Sequence, residues 1–426
     1  MREKPEQRDH STSWLDLAAC ITRIATGPWL FVQLRGGAVT PEQVIDNDDV
    51  DLLCNRENIY RLFDKAFDWV KEGLCHIRIT SRRTEKIQLT LISIDGRHKA
   101  VFDLWIHLWQ INHGRNLLRF DICLPLLKDT VGVARLPVDI EACLYIHHLV
   151  SKKKDLSKHK VKERLLNYHA RCIAEKHTRI AALVDAIIAG GILSPEVSAS
   201  ALSHVEELIQ SKKLWLLRLR RVISKIRAVL IGPPRRLGLA SIMGCDGVGK
   251  TTLIRELPSH LEKKVKTITG KHLYRKSILF KLAVIFIRPL LFQSRERFDE
   301  SLAPLVYIRA AIGLRLKSLI NRSRFCLVDR SIVDFLVLDR KTDNPRFSRF
   351  RWLTTVLGFR ILNVQCVVDW NTVVQRKQEV TETGYAVYNM KMFRHFSRRT
   401  PTDYLLFNND GGIEDSAAAL ARCLNG

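Results

Sequence analysis

No stretch of about 18 uncharged apolar residues occurs in this 426-residue chain, so no membrane-spanning helix is predicted. The first residues are polar and charged, and Asp16 and Arg23 break the apolar stretch after them, a pattern unlike a secretion signal. The ten cysteines stand singly, with no Cys-x-x-Cys pair. That excludes the spacing of a zinc or disulfide framework and suits buried thiols in a reducing, cytoplasmic setting. Low-complexity tracts and internal repeats are absent. Acidic residues are in short supply, 44 Asp/Glu against 69 Lys/Arg, which leaves a net charge of +25.

That surplus is uneven. Residues 1–150 are close to neutral, and the excess lies in residues 151–236 and 237–426. A basic surface favours phosphorylated substrates, anionic lipid or nucleic acid without choosing among them, and solvated basic faces are the plainer reading. The neutral N-terminal zone suits a polymerase-like grip on a nucleic-acid backbone poorly. Nucleic acid is therefore not the expected partner.

Three zones follow from the hydrophobic pattern: 14–145, mixed helix and strand; 146–236, helical and basic; and 237–426, alternating strand and helix. In the first, Leu89–Ile94 and Ala100–Trp105 read as strands around a turn at Asp95-Gly96. From about 139 to 230 the pattern is helical, interrupted at Gly190-Gly191 and Pro195. Within it, Lys212–Ile231 interleaves cations with apolar residues. It reads either as an interdomain helix that buries its apolar stripe or as a helix lying on the inner, anionic face of a membrane. Ile278–Phe292 poses the same choice, with a core or docking helix favoured.

Gly244-Cys245-Asp246-Gly247-Val248-Gly249-Lys250-Thr251-Thr252 fits G-x-x-x-x-G-K-[ST], between an apolar strand at Leu237–Met243 and a helical pattern from Leu253. Glycines let the backbone wrap phosphate closely, and successive N–H groups with the helix N-terminus bind the anion. Lys250 is expected to reach the β- and γ-phosphates of ATP, and the Thr251 hydroxyl to ligate Mg2+. Phe325–Arg330 reads as a buried strand ending in Asp329, suited to the magnesium shell, and Arg330, suited to a phosphoryl group. The alternative is a surface Asp–Arg pair. Further strands at Val364–Asp369 and Tyr404–Phe407, each followed by a helical pattern, predict a parallel doubly wound sheet.

The loop resembles the E-G-x-D-G-x-G-K-[ST]-T loop of thymidylate kinases, and Val328-Asp329-Arg330 resembles their D-R-Y/H motif. The resemblance covers residues 237–426. It implies a P-loop kinase in which Asp246 faces the acceptor, Lys250, Asp246, Asp329 and Arg330 carry catalysis, and Arg309 and Arg330 hold the acceptor's phosphate. Arg376 falls where lid arginines occur; ordinary surface cations are the other reading of Arg309 and Arg376. Departures concern the acceptor. Met243 replaces the family's glutamate, Ser331 follows Asp-Arg, Ile332–Leu336 replaces the thymidine-contacting stretch, and Gly270–Arg275 stands in place of the E-P-G-type loop. A small phosphorylated acceptor is expected, a nucleoside monophosphate being one candidate, but thymidylate itself does not carry over.

A second constellation lies N-terminally: Leu34-Arg35-Gly36-Gly37, then Asp49-Val50-Asp51, then Asp103 between apolar residues. Alternate strand residues share a face, so Asp49 and Asp51 can hold metal together. The pattern resembles the polymerase-beta-type nucleotidyltransferase superfamily, an α+β fold, and the resemblance implies that Asp103 completes a two-magnesium clamp and that Gly36-Gly37 cradles a triphosphate. The alternatives are a retained fold that only binds nucleotide, or an Asp pair capping a turn after Asn47-Asp48. His107, His113, His147 and His148 show no metal-ligand spacing and read as core or surface residues. The expectation is an α/β protein: an ATP- and magnesium-dependent kinase fused to a nucleotidyltransferase-like domain through a helical, basic region. The rivals are a nucleotidyltransferase with a regulatory P-loop half, and a membrane-docked or nucleic-acid-binding protein that holds ATP without turnover. The oligomeric state has no signature in the sequence.

Overall fold

A computed structural model of the chain describes residues 10–205 apart from Gly37, Asp48, Thr84, 112–115, Thr130 and 191–192, then 210–211, 222, 239–262, 264–269, 285, 313, 325–329, 361–376, 380–398 and 402–425. Helix α1 (His10–Thr26) is followed by β1 (Leu30–Gln33), the short α2 (Pro41–Val44), β2 (Val50–Leu53) and α3 (Arg56–Lys71). The sequence makes α3 helical for clear local reasons. Asn55 caps it by accepting the Asn58 amide at 2.8 Å. Ile59, Leu62, Phe63, Ala66, Phe67 and Val70 recur on one buried face. Gly73, at φ 71°, follows its end.

Strands β3 (His76–Arg83), β4 (Lys86–Ile92) and β5 (Lys99–Trp105) form an antiparallel meander. The two strands expected around Asp95-Gly96 are β4 and β5. Gly96 sits at φ 72°, where a Cβ would lie 2.7 Å from the Ala419 carbonyl. Next come β6 (His107–Ile111), β7 (Asn116–Arg119), α4 (Phe120–Cys123), β8 (Gly132–Arg135) and the helices α5 (Val138–Ser151), α6 (His159–Ala174), α7 (Thr178–Gly190) and α8 (Pro195–His204). The helical pattern then yields to β9 (Gln210–Ser211), which pairs with β7 in a separate three-stranded sheet. Both Lys212–Ile231 and Ile278–Phe292 lie outside the described residues, save Val222 and Ile285.

The remaining elements are β10 (Leu239–Met243), α9 (Lys250–His260), β11 (Val265–Thr269), β12 (Phe325–Asp329), β13 (Leu362–Val367), α10 (Trp370–Arg376), α11 (Glu382–Ser397), β14 (Thr402–Asn408) and α12 (Ile413–Asn425). Five of these strands are parallel in the order β11-β12-β10-β13-β14. The near-continuous burial of β10, β12, β13 and β14 is what a parallel sheet covered on both faces requires.

The two halves of the chain share one sheet. β14 pairs antiparallel with β3, and the ladder runs on through β4, β5, β2, β1 and β8 to make eleven strands. Arg78 reinforces the seam with a two-pronged ion pair to Asp403, at 2.9 and 3.1 Å. The architecture is therefore mixed α/β with a large, mostly parallel sheet. One face packs on α1, α3 and α11 through residues such as Leu52, Phe102, Ile79, Tyr404 and Phe393. The other is covered by α5–α8 at the β1–β8 end and by α9 and α12 at the β10–β14 end. Among the described residues no helix is long and apolar enough to cross a membrane.

Candidate functional site

The glycine loop joins the C-terminal end of β10 to α9, near the middle of the five parallel strands. Gly244, Gly247 and Gly249 adopt φ values of 148°, 95° and 83°. A Cβ at Gly244 would lie 2.7 Å from the Cys366 carbonyl, so backbone of β13 crowds the loop's entry. Lys250, the first residue of α9, is 6% exposed and donates its ammonium to the carbonyls of Gly244, at 2.7 Å, and Cys245. Val248 is buried beneath the loop. Asp246 is half-exposed, 3.9 Å from the Lys250 ammonium. Thr251 is exposed on the first turn of the helix and Thr252 half-buried. Asp329 ends the adjacent β12, in register with Ile242, and so comes to the loop's edge of the sheet. A hydroxyl and a carboxylate on neighbouring elements, beside a loop narrowed by backbone, fit a magnesium ion carried on phosphates.

One support of this loop has no signature in the motif. Asn409, just past β14, donates its side-chain amide to the Val248 carbonyl at 2.8 Å. The neighbouring Asp410 accepts the Asp369 amide at 2.7 Å, and burial raises its carboxyl above the usual range. Asn408 reaches into the N-terminal half, donating its side-chain amide to the Val70 carbonyl at 2.9 Å and its backbone amide to His76 at 3.2 Å. Arg376, the last residue of α10, comes 3.5 Å from the Gly247 carbonyl at the loop's outer side. Arg309 and Arg330 lie outside the described residues.

The N-terminal constellation surrounds a cavity of about 620 Å³. Its floor is a row of residues directly opposite one another across four strands: Asp51, Asp103, Gln88 and Thr80. Each carboxylate already holds two donors. Asp51 accepts from Arg35 at 2.7 Å and from the Trp105 indole at 2.9 Å. Asp103 accepts from Gln88 at 3.0 Å and from the Lys86 ammonium. Asp49 is exposed one residue before β2 and does not line the cavity. Gly36, at φ 117°, gives its carbonyl to Arg135, which is anchored on the fully buried Glu141 together with Arg171. Gly37 lies outside the described residues.

His147 and His148 line the cavity from α5, a position their spacing did not reveal. Burial and the Arg35 cation push His148 down to about 3, so it is neutral at physiological pH. Among the described residues no group of three or more His, Cys, Asp or Glu side chains is arranged to hold a metal ion. With Asp49 outside and the other two carboxylates matched by cations, the cavity's donor set does not fit a two-magnesium clamp. Neither a protein-family model nor a curated protein matches the chain.

Proposed function

We propose that the chain is an ATP-dependent phosphotransferase of the nucleotide-kinase type, with residues 244–252 as its phosphate-binding loop. The observation that carries this reading is the buried Lys250 ammonium, folded against the carbonyls of a loop bent by three glycines at positive φ. In that position the lysine can swing from carbonyl oxygens to phosphate oxygens with little loss of hydrogen bonding. The loop's N–H groups and the α9 N-terminus add an anion-binding field. Thr251 and Asp329 are the residues that would hold magnesium, which would supply neutralisation of phosphate charge when bound.

Phosphoryl transfer depends mainly on positioning and charge stabilisation. Lys250 and Arg376 serve the transferring group, Asn409 holds the loop's shape, and Asp246, half-exposed beside the lysine, faces the acceptor's side. The acceptor is a small phosphorylated molecule, gripped through Arg309 and Arg330 in the thymidylate-kinase-like reading. Calorimetric titration with ATP and magnesium tests the proposal. Wild-type protein is expected to bind ATP in the micromolar range, and Lys250→Met to lose at least tenfold in affinity; equal affinities refute it.

A second reading makes the N-terminal half a nucleotidyltransferase and the main catalyst. The cavity beside Gly36 favours it, and the cation-matched carboxylates weigh against it.

A further inference from the structure

The cavity is a built site whose chemistry differs from that of a metal–triphosphate pocket. It is bounded by two carboxylates, Asp51 and Asp103, and three cations, Arg35, Lys86 and Lys152. The carboxylates are spent on internal pairs, so a divalent metal entering here would have to displace Arg35 and Lys86. A ligand that brings its own negative charge meets a slight cationic excess instead.

The floor is also patterned. Neighbouring strands lie about 4.8 Å apart, so Asp51, Asp103, Gln88 and Thr80 offer polar groups along a line of about 14 Å. A carboxylate oxygen that already accepts one hydrogen bond has a lone pair for another. Acceptors on Asp51 and Asp103 thus stand beside donors on Arg35, Lys86 and Gln88, an arrangement suited to hydroxyls, which donate and accept at once. Trp105, Leu34, Leu108 and Leu144 supply an apolar wall, against which the C–H face of a sugar ring can pack. At the lip, Ser151 ends α5 and the exposed Lys152 caps it, followed by exposed Lys153 and Lys154.

From these features we infer that the N-terminal cavity binds a small polyhydroxylated phosphate monoester, of the sugar-phosphate class, without a divalent metal. The hydroxyls lie along the Asp51–Thr80 row and the phosphate at the Lys152 lip. This does not depend on the kinase reading of the other half.

The test is calorimetric titration of the full-length Lys250→Ala protein, which lacks the phosphate-loop ammonium. Glucose 1-phosphate, glucose 6-phosphate, ribose 5-phosphate and UTP are titrated in turn, each in EDTA and in magnesium. At least one sugar phosphate is expected to bind in EDTA, with its Kd unchanged by magnesium. Adding Lys152→Ala, a change at an exposed position, is expected to weaken that binding about tenfold, as loss of one charged hydrogen bond implies. Either of two results overturns the inference: no sugar phosphate binding in EDTA, or binding of UTP alone and only with magnesium. ATP binding to wild-type protein is scored separately, so failure of the kinase reading is distinguishable from failure here.

Discussion

Arg78 on β3 and Asp403 on β14, 325 residues apart in the chain, form a two-pronged ion pair across the seam between the two halves. Asp403 is almost fully buried and Arg78 nearly so. Removing one partner strands a charge in a poorly solvated place, at a cost of about 3 kcal/mol. Arg78→Ala is therefore expected to lower the free energy of unfolding by about that much in urea titration. A loss below about 1 kcal/mol would mean that the seam is solvated and the halves loosely joined.

Stability should also fall in mild acid. His76 is buried against Phe407, accepts the Asn408 amide and is pushed down to about 4, chiefly by burial. Its folded-state value lies below its unfolded value, so the unfolded chain binds the extra proton between pH 6.5 and 4. Its contribution is complete above about pH 6.5 and drains away as pH falls towards 4, by up to about 3 kcal/mol. Urea midpoints at pH 7 and 4.5 should show the drop, and His76→Gln should flatten it. An identical slope in the variant would show that other groups govern the acid limb.

Asn409 holds the glycine loop at Val248 from outside the motif. In Asn409→Ala the Val248 carbonyl loses its partner, and ATP affinity should fall about tenfold while the melting temperature shifts by only a few degrees. Unchanged affinity would make Asn409 a packing residue only.

Gly244 has both a φ of 148° and the Cys366 carbonyl where a Cβ would stand. Gly244→Ala should cost about 1–3 kcal/mol of stability and abolish measurable ATP binding, since the loop must shift to relieve the contact. Gly190→Ala, where a Cβ meets nothing within 4 Å, should do neither and is the control. Full ATP binding by Gly244→Ala would show that the loop's conformation does not decide nucleotide binding.

The glycine loop was legible because its chemistry is contiguous: glycine, lysine and threonine at fixed spacing between a strand and a helix. The β4–β5 hairpin was legible for the same reason, an Asp-Gly turn between two apolar runs. The seam at Arg78 and Asp403 was not, because strand pairing across hundreds of residues has no local signature. The cavity was half-read. Asp51, Asp103 and Gly36 stood out as a spaced pattern, but the cations that decide its charge, Arg35 and Lys86, come from the turn after β1 and from β4. Asp49 shows where spacing misleads: it precedes the paired part of β2, so alternation did not bring it to the floor beside Asp51.

The most direct test of the central claim is the product formed from ATP when purified protein meets a small-molecule extract and magnesium. The proposed kinase yields ADP, and Lys250→Ala abolishes it. Pyrophosphate that persists in Lys250→Ala would contradict the account and move the chemistry to the N-terminal cavity.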